Sequence, residues 1–213
     1  MDVFDPVLGN GCCTPGAKGI TWHPIKTATN GQLALGMTRW IIENKAYNAD
    51  YLGFTNYKAA VAGGFASYTG ATFLVIDDES SANNGKLMTA ADAGLTEPEA
   101  DPAAKTKPTY YVVMDAEKNE AALNTDAKRG LIDFEGEVNG IKVRSAFLYL
   151  KDSAFSNTMD EYAEICGVPR ETIEGVAREF TSHGVKAATT GLGSTAAANG
   201  VSSMAAYTFL NAL

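Results

Sequence analysis

The stretch from residue 158 to residue 213 constrains the fold most, because it marks its own boundaries. Thr158-Met159-Asp160-Glu161 is a capping box. Its hydroxyl and its carboxylate each satisfy a backbone amide that a first helical turn leaves without a partner. The helix so opened is expected to run to Cys166 and to stop at Gly167, which can take the left-handed conformation. Pro169 suits the first position of a second helix, where its missing N–H is not needed. Ile173, Val176, Ala177 and Phe180 recur at helical spacing as its buried stripe, and Gly184 closes it. Residues 185–189 then read as a strand, residues 190–200 as a loop of small residues, and a last helix starts near Val201. Helix, strand, glycine-rich loop and helix make half of a nucleotide-binding pattern.

The remainder carries the same alternation. Val3-Phe4-Asp5-Pro6 reads as the end of a strand stopped by proline, and residues 20–25 as a short extended stretch. Leu33, Ala34, Met37, Trp40 and Ile41 predict a helix over about 31–46, with Thr29 or Asn30 as its cap. Short helices are expected near 49–52 and 57–62, strands at 72–77 and 110–114, and a helix at 145–151. Asn139-Gly140 predicts a type I′ turn inside a hairpin over 131–143. Residues 78–108, rich in Ser, Asn, Gly, Pro and Ala, read as a long surface loop. The expected fold class is α/β: a doubly wound, mostly parallel, Rossmann-like sheet with a β-hairpin insertion, in one domain over 1–213.

Composition narrows function mainly by exclusion. Apolar residues make up 46% of the 213, enough for a core. Seventeen basic against 25 acidic residues give a net charge of −8, and no basic stripe offers a nucleic-acid surface. No apolar run is long enough for a membrane span, so no direct membrane insertion is expected. The opening Met1-Asp2-Val3-Phe4-Asp5 lacks the basic and apolar regions of a signal peptide. Cys12, Cys13 and Cys166 have neither the spacing of a metal site nor the number of a disulfide framework. With only His23 and His183 as histidines, no protein-ligated metal is expected.

Few residues stand out as chemistry-bearing. Gly191, Gly193, Ser194 and Thr195 form a bend where backbone amides can approach an anion. Their spacing matches neither G-x-G-x-x-G nor a P-loop, so spacing alone favours a tight packing turn. Asp5 and Pro6 stand at a strand end, where α/β sheets bind ligands or simply turn. The side chains of Thr29 and Asn30 can read a base edge or cap a helix. No nucleophile–base pair can be nominated, and no catalytic residue is assigned.

Taken together, these stretches resemble one family. Phe4-Asp5-Pro6, then Trp22-His23-Pro24-Ile25-Lys26-Thr27-Ala28-Thr29-Asn30-Gly31-Gln32-Leu33-Ala34-Leu35-Gly36-Met37, resembles a signature of the molybdopterin-guanine-dinucleotide oxidoreductases of the dimethyl sulfoxide reductase superfamily. Arg39-Trp40-Ile41-Ile42-Glu43-Asn44 and Tyr51-Leu52 continue it, and Glu161 to Pro169 and Ala177 to Phe180 resemble its later paired helices. The wording is most similar to tetrathionate reductase catalytic subunits, with respiratory arsenate reductases nearby. The resemblance covers roughly 1–55 and 130–213.

The resemblance implies a part of a larger catalytic subunit, with Met1 an added initiator. Such enzymes hold two molybdopterin guanine dinucleotides around one molybdenum and a [4Fe–4S] centre that would lie outside this chain. This domain would hold one guanosine end and its phosphates: Asp5 and Pro6 at the strand end, Thr29 and Asn30 at the guanine or ribose, and Gly191, Gly193, Ser194 and Thr195 near the pterin or phosphates. Asn30 stands where many members carry Asp, Thr27-Ala28 where they carry Pro-Gly, and Ala196 where some carry Gln. The isolated chain is expected to bind no cofactor and to be inactive. The implied partners are the remainder of the catalytic subunit and a ferredoxin-like electron-transfer subunit. The implied reaction is reduction of tetrathionate or a related sulfur or arsenic oxyanion, and the implied location of the parent enzyme is extracytoplasmic. The alternative reading is a stand-alone Rossmann-like module for a nucleotide or small ligand.

Overall fold

The computed structural model describes residues 1–7, 18–99, 109–184, 187–189 and 197–213. In chain order they form β1 (Asp2–Phe4), β2 (Thr21–His23), α1 (Asn30–Glu43), α2 (Ala49–Leu52), α3 (Tyr57–Ala62) and β3 (Leu74–Ile76). These are followed by β4 (Val112–Met114), β5 (Ala121–Leu123), β6 (Glu135–Val138), β7 (Ile141–Ser145) and α4 (Ala146–Phe155). The last three helices are α5 (Met159–Cys166), α6 (Arg170–Ser182) and α7 (Gly200–Ala212).

The described residues gather into two compact units, Met1–Tyr47 with Lys151–Leu213, and Asn48–Leu150. The second unit, which in sequence interrupts the first, has its own apolar core.

In the first unit α1 is central. It buries Leu33, Ala34, Met37 and Ile41 against Tyr162 and Cys166 of α5, Ile173 and Ala177 of α6, and Ala206, Tyr207 and Leu210 of α7. Two glycines set how closely those helices approach. A Cβ at Gly36 would lie 3.3 Å from the Tyr162 side chain, and one at Gly31 would lie 3.0 Å from the Ser203 Cα. The capping box forms as predicted: Glu161 N–H donates to Thr158 Oγ1 at 3.2 Å, and Thr158 N–H donates to the Glu161 carboxylate at 2.7 Å. Gly167 ends α5 with φ 68°. Those hydrogen bonds from Thr158 hold the Glu161 carboxyl below its ordinary range. Its contribution to stability is therefore present above the ordinary glutamate pKa and is lost as pH falls through the lowered folded value. Thr158→Ala is expected to destabilise the unit by about 1 kcal/mol in urea denaturation at neutral pH. Only the share that comes from the Thr158 Oγ1–H bond to the Glu161 carboxylate, at 2.9 Å, should disappear in acid; the cap bond from Glu161 N–H does not titrate.

The sheet departs from expectation. Among the described residues the only parallel pair is β1 with β2, in register Phe4↔His23. The order β3-β7-β6 and the pair β4-β5 are antiparallel. The mostly parallel, doubly wound sheet is thus not formed by these residues. One physical reason lies at residue 189. Thr189 N–H donates to the Asn211 side chain and Asn211 donates back to the Thr189 carbonyl, both at 2.8 Å. A helix side chain there takes the place of a neighbouring strand, and residues 187–189 carry no regular structure. The rest of the expected strand, 185–186, lies outside the described residues. Pro169 also shifts by one position: it precedes α6 as its cap, at φ −55° and ψ 139°.

The second unit contains the predicted hairpin. Asn139 and Gly140 have φ 53° and 73°, as a type I′ turn requires. Its core joins Leu74, Ile76, Met88, Val112, Met114, Val138 and Val143. Met88 corrects the expected surface loop over 78–108. It is fully buried; its N–H donates to Leu74 O at 2.7 Å and its carbonyl accepts from Val112 N–H at 3.1 Å. Residues 100–108 of that segment lie outside the described residues. No helix among the described residues is long and apolar enough to cross a membrane.

Candidate functional site

The site is built on the first unit. Because β1 and β2 run parallel, the chain leaves both strands at the same C-terminal edge. Asp5 comes directly after β1. Its N–H donates to His23 O at 3.3 Å, its carbonyl accepts from Trp22 Nε1 at 3.0 Å, and its Oδ1 accepts from Val7 N–H at 3.0 Å. Pro6 is exposed. Beside them Phe4 stacks on the His23 ring at 4.7 Å, and His23 Nε2 lies 2.8 Å from Asp2 Oδ1.

After β2 the chain makes a tight corner before α1. Thr29 Oγ1 donates to Lys26 O at 2.7 Å, so the predicted cap closes the corner and does not cap α1. Ala28 takes φ 64°, a left-handed conformation that disfavours a residue with a Cβ. Asn30 is the first residue of α1, and its side chain makes no hydrogen bond to another described residue. The corner is tied to its neighbours on both sides. Lys26 N–H donates to Cys166 O at 2.8 Å and Lys26 Nζ to Glu164 O at 2.6 Å, both at the C-terminal end of α5. The Cys166 thiol donates to Thr29 O at 3.6 Å, and Asn199 Nδ2 donates to Ala28 O at 2.9 Å.

Of the predicted residues, Asp5, Pro6, Thr29 and Asn30 lie beyond the same strand edge. No hydrogen bond among the described residues joins Asp5 to the corner. Gly191, Gly193, Ser194 and Thr195 lie outside the described residues. Their flank at Asn199 and Gly200 reaches the corner, through the bond to Ala28 and through Ser203 packed on Gly31. Lys26, Cys166 and Asn199 were not singled out from sequence. For Asn199 a signal existed, since Asn-Gly before an apolar run marks a helix start, but its partner is 171 residues away. Nothing local marks Lys26 or Cys166.

The N-termini of α1 and α7 therefore come together, and among the described residues neither is capped by a side chain. Uncapped first-turn amides carry partial positive charge and suit an anion or a carbonyl oxygen. The carboxamide oxygen of Gln32, in the first turn of α1, is buried with no donor among the described residues. Among the described residues no group of three or more His, Cys, Asp or Glu side chains is placed to hold a metal ion. In the second unit a groove of about 430 Å³, lined by Phe54, Asn56, Lys58, Lys128 and Arg129, contains none of the predicted site residues.

The Cys166 thiol is buried in the helical core. Burial pushes its thiol up to about 11, which disfavours the reactive thiolate. Iodoacetamide at pH 8 should leave Cys166 unmodified in the native chain and label it fully in denaturant, read by site-resolved mass spectrometry. Native labelling on the denatured timescale would show that the thiol is accessible.

No family model matches the chain. It is similar to the A-subunit of selenate reductase from Mesobacillus selenatarsenatis, 35% identical over 173 residues, covering 81% of this chain and 16% of that protein. It is similar to the A-subunit of tetrathionate reductase from Salmonella typhimurium, 36% identical over 169 residues, covering 78% of this chain and 16% of that protein. The A-subunit of the Archaeoglobus fulgidus tetrathionate reductase is 29% identical over 164 residues, 75% of this chain and 13% of that protein. The chain thus spans 16% of the length of the first two of these relatives. On these matches over about four fifths of its length, the chain belongs to the molybdopterin oxidoreductases, as a segment similar to part of their A-subunits.

Proposed function

We propose that this chain is part of the catalytic subunit of a molybdenum-dependent oxidoreductase and binds the guanosine end of one molybdopterin guanine dinucleotide. The observation that carries this reading is the corner at 26–30, where two uncapped helix N-termini meet an Asn30 side chain that has no hydrogen-bond partner among the described residues. The donor set fits a nucleotide. Asn30 can accept a ring N–H at its carboxamide oxygen and donate to a neighbouring carbonyl oxygen, which matches one edge of guanine. The first-turn amides suit phosphate oxygens. When bound, the molybdenum and pterin supply the two-electron redox chemistry. The residues of this chain bind and orient, and none is assigned a proton-transfer or nucleophilic role.

The substrate of the whole enzyme is, on this reading, tetrathionate or a related sulfur or selenium oxyanion, as the names of the relatives suggest, or an arsenic oxyanion, as the sequence resemblance implies. Those relatives are named as A-subunits, hence as parts of multi-subunit proteins. The proposed partners are the remainder of the catalytic subunit and a ferredoxin-like electron-transfer subunit, in an extracytoplasmic enzyme.

The test is titration of the chain with GDP and IDP up to millimolar concentration, followed by NMR, because the chain holds only part of the cofactor site and its binding of the nucleotide end alone is expected to be weak. GDP is expected to shift the resonances of residues 26–31 and 199–201. Asn30 reads only the ring N–H and carbonyl shared by both bases, so the two nucleotides should bind alike. Asn30→Asp, able to accept from the exocyclic amino group too, should favour GDP by about tenfold. If GDP leaves residues 26–31 unshifted, the guanosine assignment fails.

A further inference from the structure

Asn199 occupies the cap position of α7, yet its side chain does not cap that helix. Asparagine is among the best N-cap residues, so the departure calls for a cause. Its Nδ2 is committed elsewhere, to Ala28 O at 2.9 Å. The recipient is itself unusual: Ala28 holds φ 64°, which alanine adopts only when its surroundings impose it. The two sides of the corner are held differently. The entry at Lys26 is fixed by two bonds to the end of α5, to Cys166 O and Glu164 O. The exit, from Ala28 into Asn30, has Asn199 as its side-chain anchor from α7, with the weaker thiol contact from Cys166 beside it. A change in the Ala28 peptide would re-aim Asn30, two residues on.

We propose that Asn199 is a positioning residue: it keeps the left-handed turn at Ala28 in place, and so sets the direction of Asn30, instead of capping its own helix. The ligand in this inference rests on the nucleotide reading above; the geometry does not.

Asn199→Asp separates the two roles. Aspartate caps helices as well as asparagine and complements the positive helix end, but at neutral pH it has no N–H to offer Ala28. In the 213-residue chain, this variant should melt no lower than wild type, and the amides of Val201 or Ser202 should exchange more slowly as α7 gains a cap. The Thr29 amide, bonded to Lys26 O at 3.3 Å, should exchange about tenfold faster. GDP binding should weaken by about tenfold. Asn199→Ala, which supplies neither cap nor donor, should melt lower and show the same loss at Thr29. Unchanged exchange at Thr29 in Asn199→Asp overturns the proposal. So does a melting loss in Asn199→Asp equal to that in Asn199→Ala, which would make Asn199 only a support for α7. If wild type fails to bind GDP, the guanosine assignment falls, while the exchange comparison still decides the role of Asn199.

Discussion

Tyr162→Ala is expected to destabilise the first unit by about 3–5 kcal/mol, enough to leave much of it unfolded at 25 °C. Tyr162 is fully buried and lies at the centre of the helical core. Its ring sits against Gly36, where even an added Cβ would approach it to 3.3 Å, so the surroundings are already close-packed. Removing the ring leaves a cavity that α1 cannot fill without moving along α5. The hydroxyl adds a smaller share through its bond to Ala154 O at 3.1 Å. Tyr162→Phe isolates that share and should lose about 1 kcal/mol. Urea denaturation followed by circular dichroism reads both. A loss below about 1 kcal/mol for Tyr162→Ala would mean that the core is not organised around this ring.

Met88→Ala is expected to destabilise the second unit by about 2–5 kcal/mol. The side chain is fully buried among Leu74, Ile76, Val112 and Val143, and its backbone bridges β3 and β4 through Leu74 O and Val112 N–H. Hydrogen exchange at the Val112 amide, compared between wild type and variant, reports this unit separately from the first. Were the segment a surface loop, truncation would change stability by no more than about 0.5 kcal/mol. Unchanged protection at Val112 would therefore return residues 86–90 to the surface.

Helices were legible in the sequence because their signals are local. The Thr158–Glu161 box, the stop at Gly167 and the short helices at 49–52 and 57–62 are written within a few residues of where they act. The same holds for the Asn139-Gly140 turn. Sheets were harder, because pairing is decided by partners far along the chain. β5 (Ala121–Leu123) was not anticipated, since two alanines and a leucine carry no period-2 pattern. Met88 was hidden by its polar neighbours, which composition averages together with it. At the corner, Asp5, Thr29 and Asn30 could be named from the resemblance. What ties that corner down could not, because Glu164, Cys166 and Asn199 reach it from 137 to 171 residues away. The side-chain amide of Asn211, standing in for a strand at Thr189, has no sequence signal at all.

The division of the first unit into Met1–Tyr47 and Lys151–Leu213 bears on how the polypeptide is made. On the ribosome, α1 emerges before any of the helices that cover Leu33, Met37 and Ile41. At ordinary elongation speeds that apolar stripe waits on the order of ten seconds, while the intervening unit is synthesised and folds. Throughout that interval the nascent chain presents an uncovered helix face, which makes α1 the natural segment for a chaperone to hold.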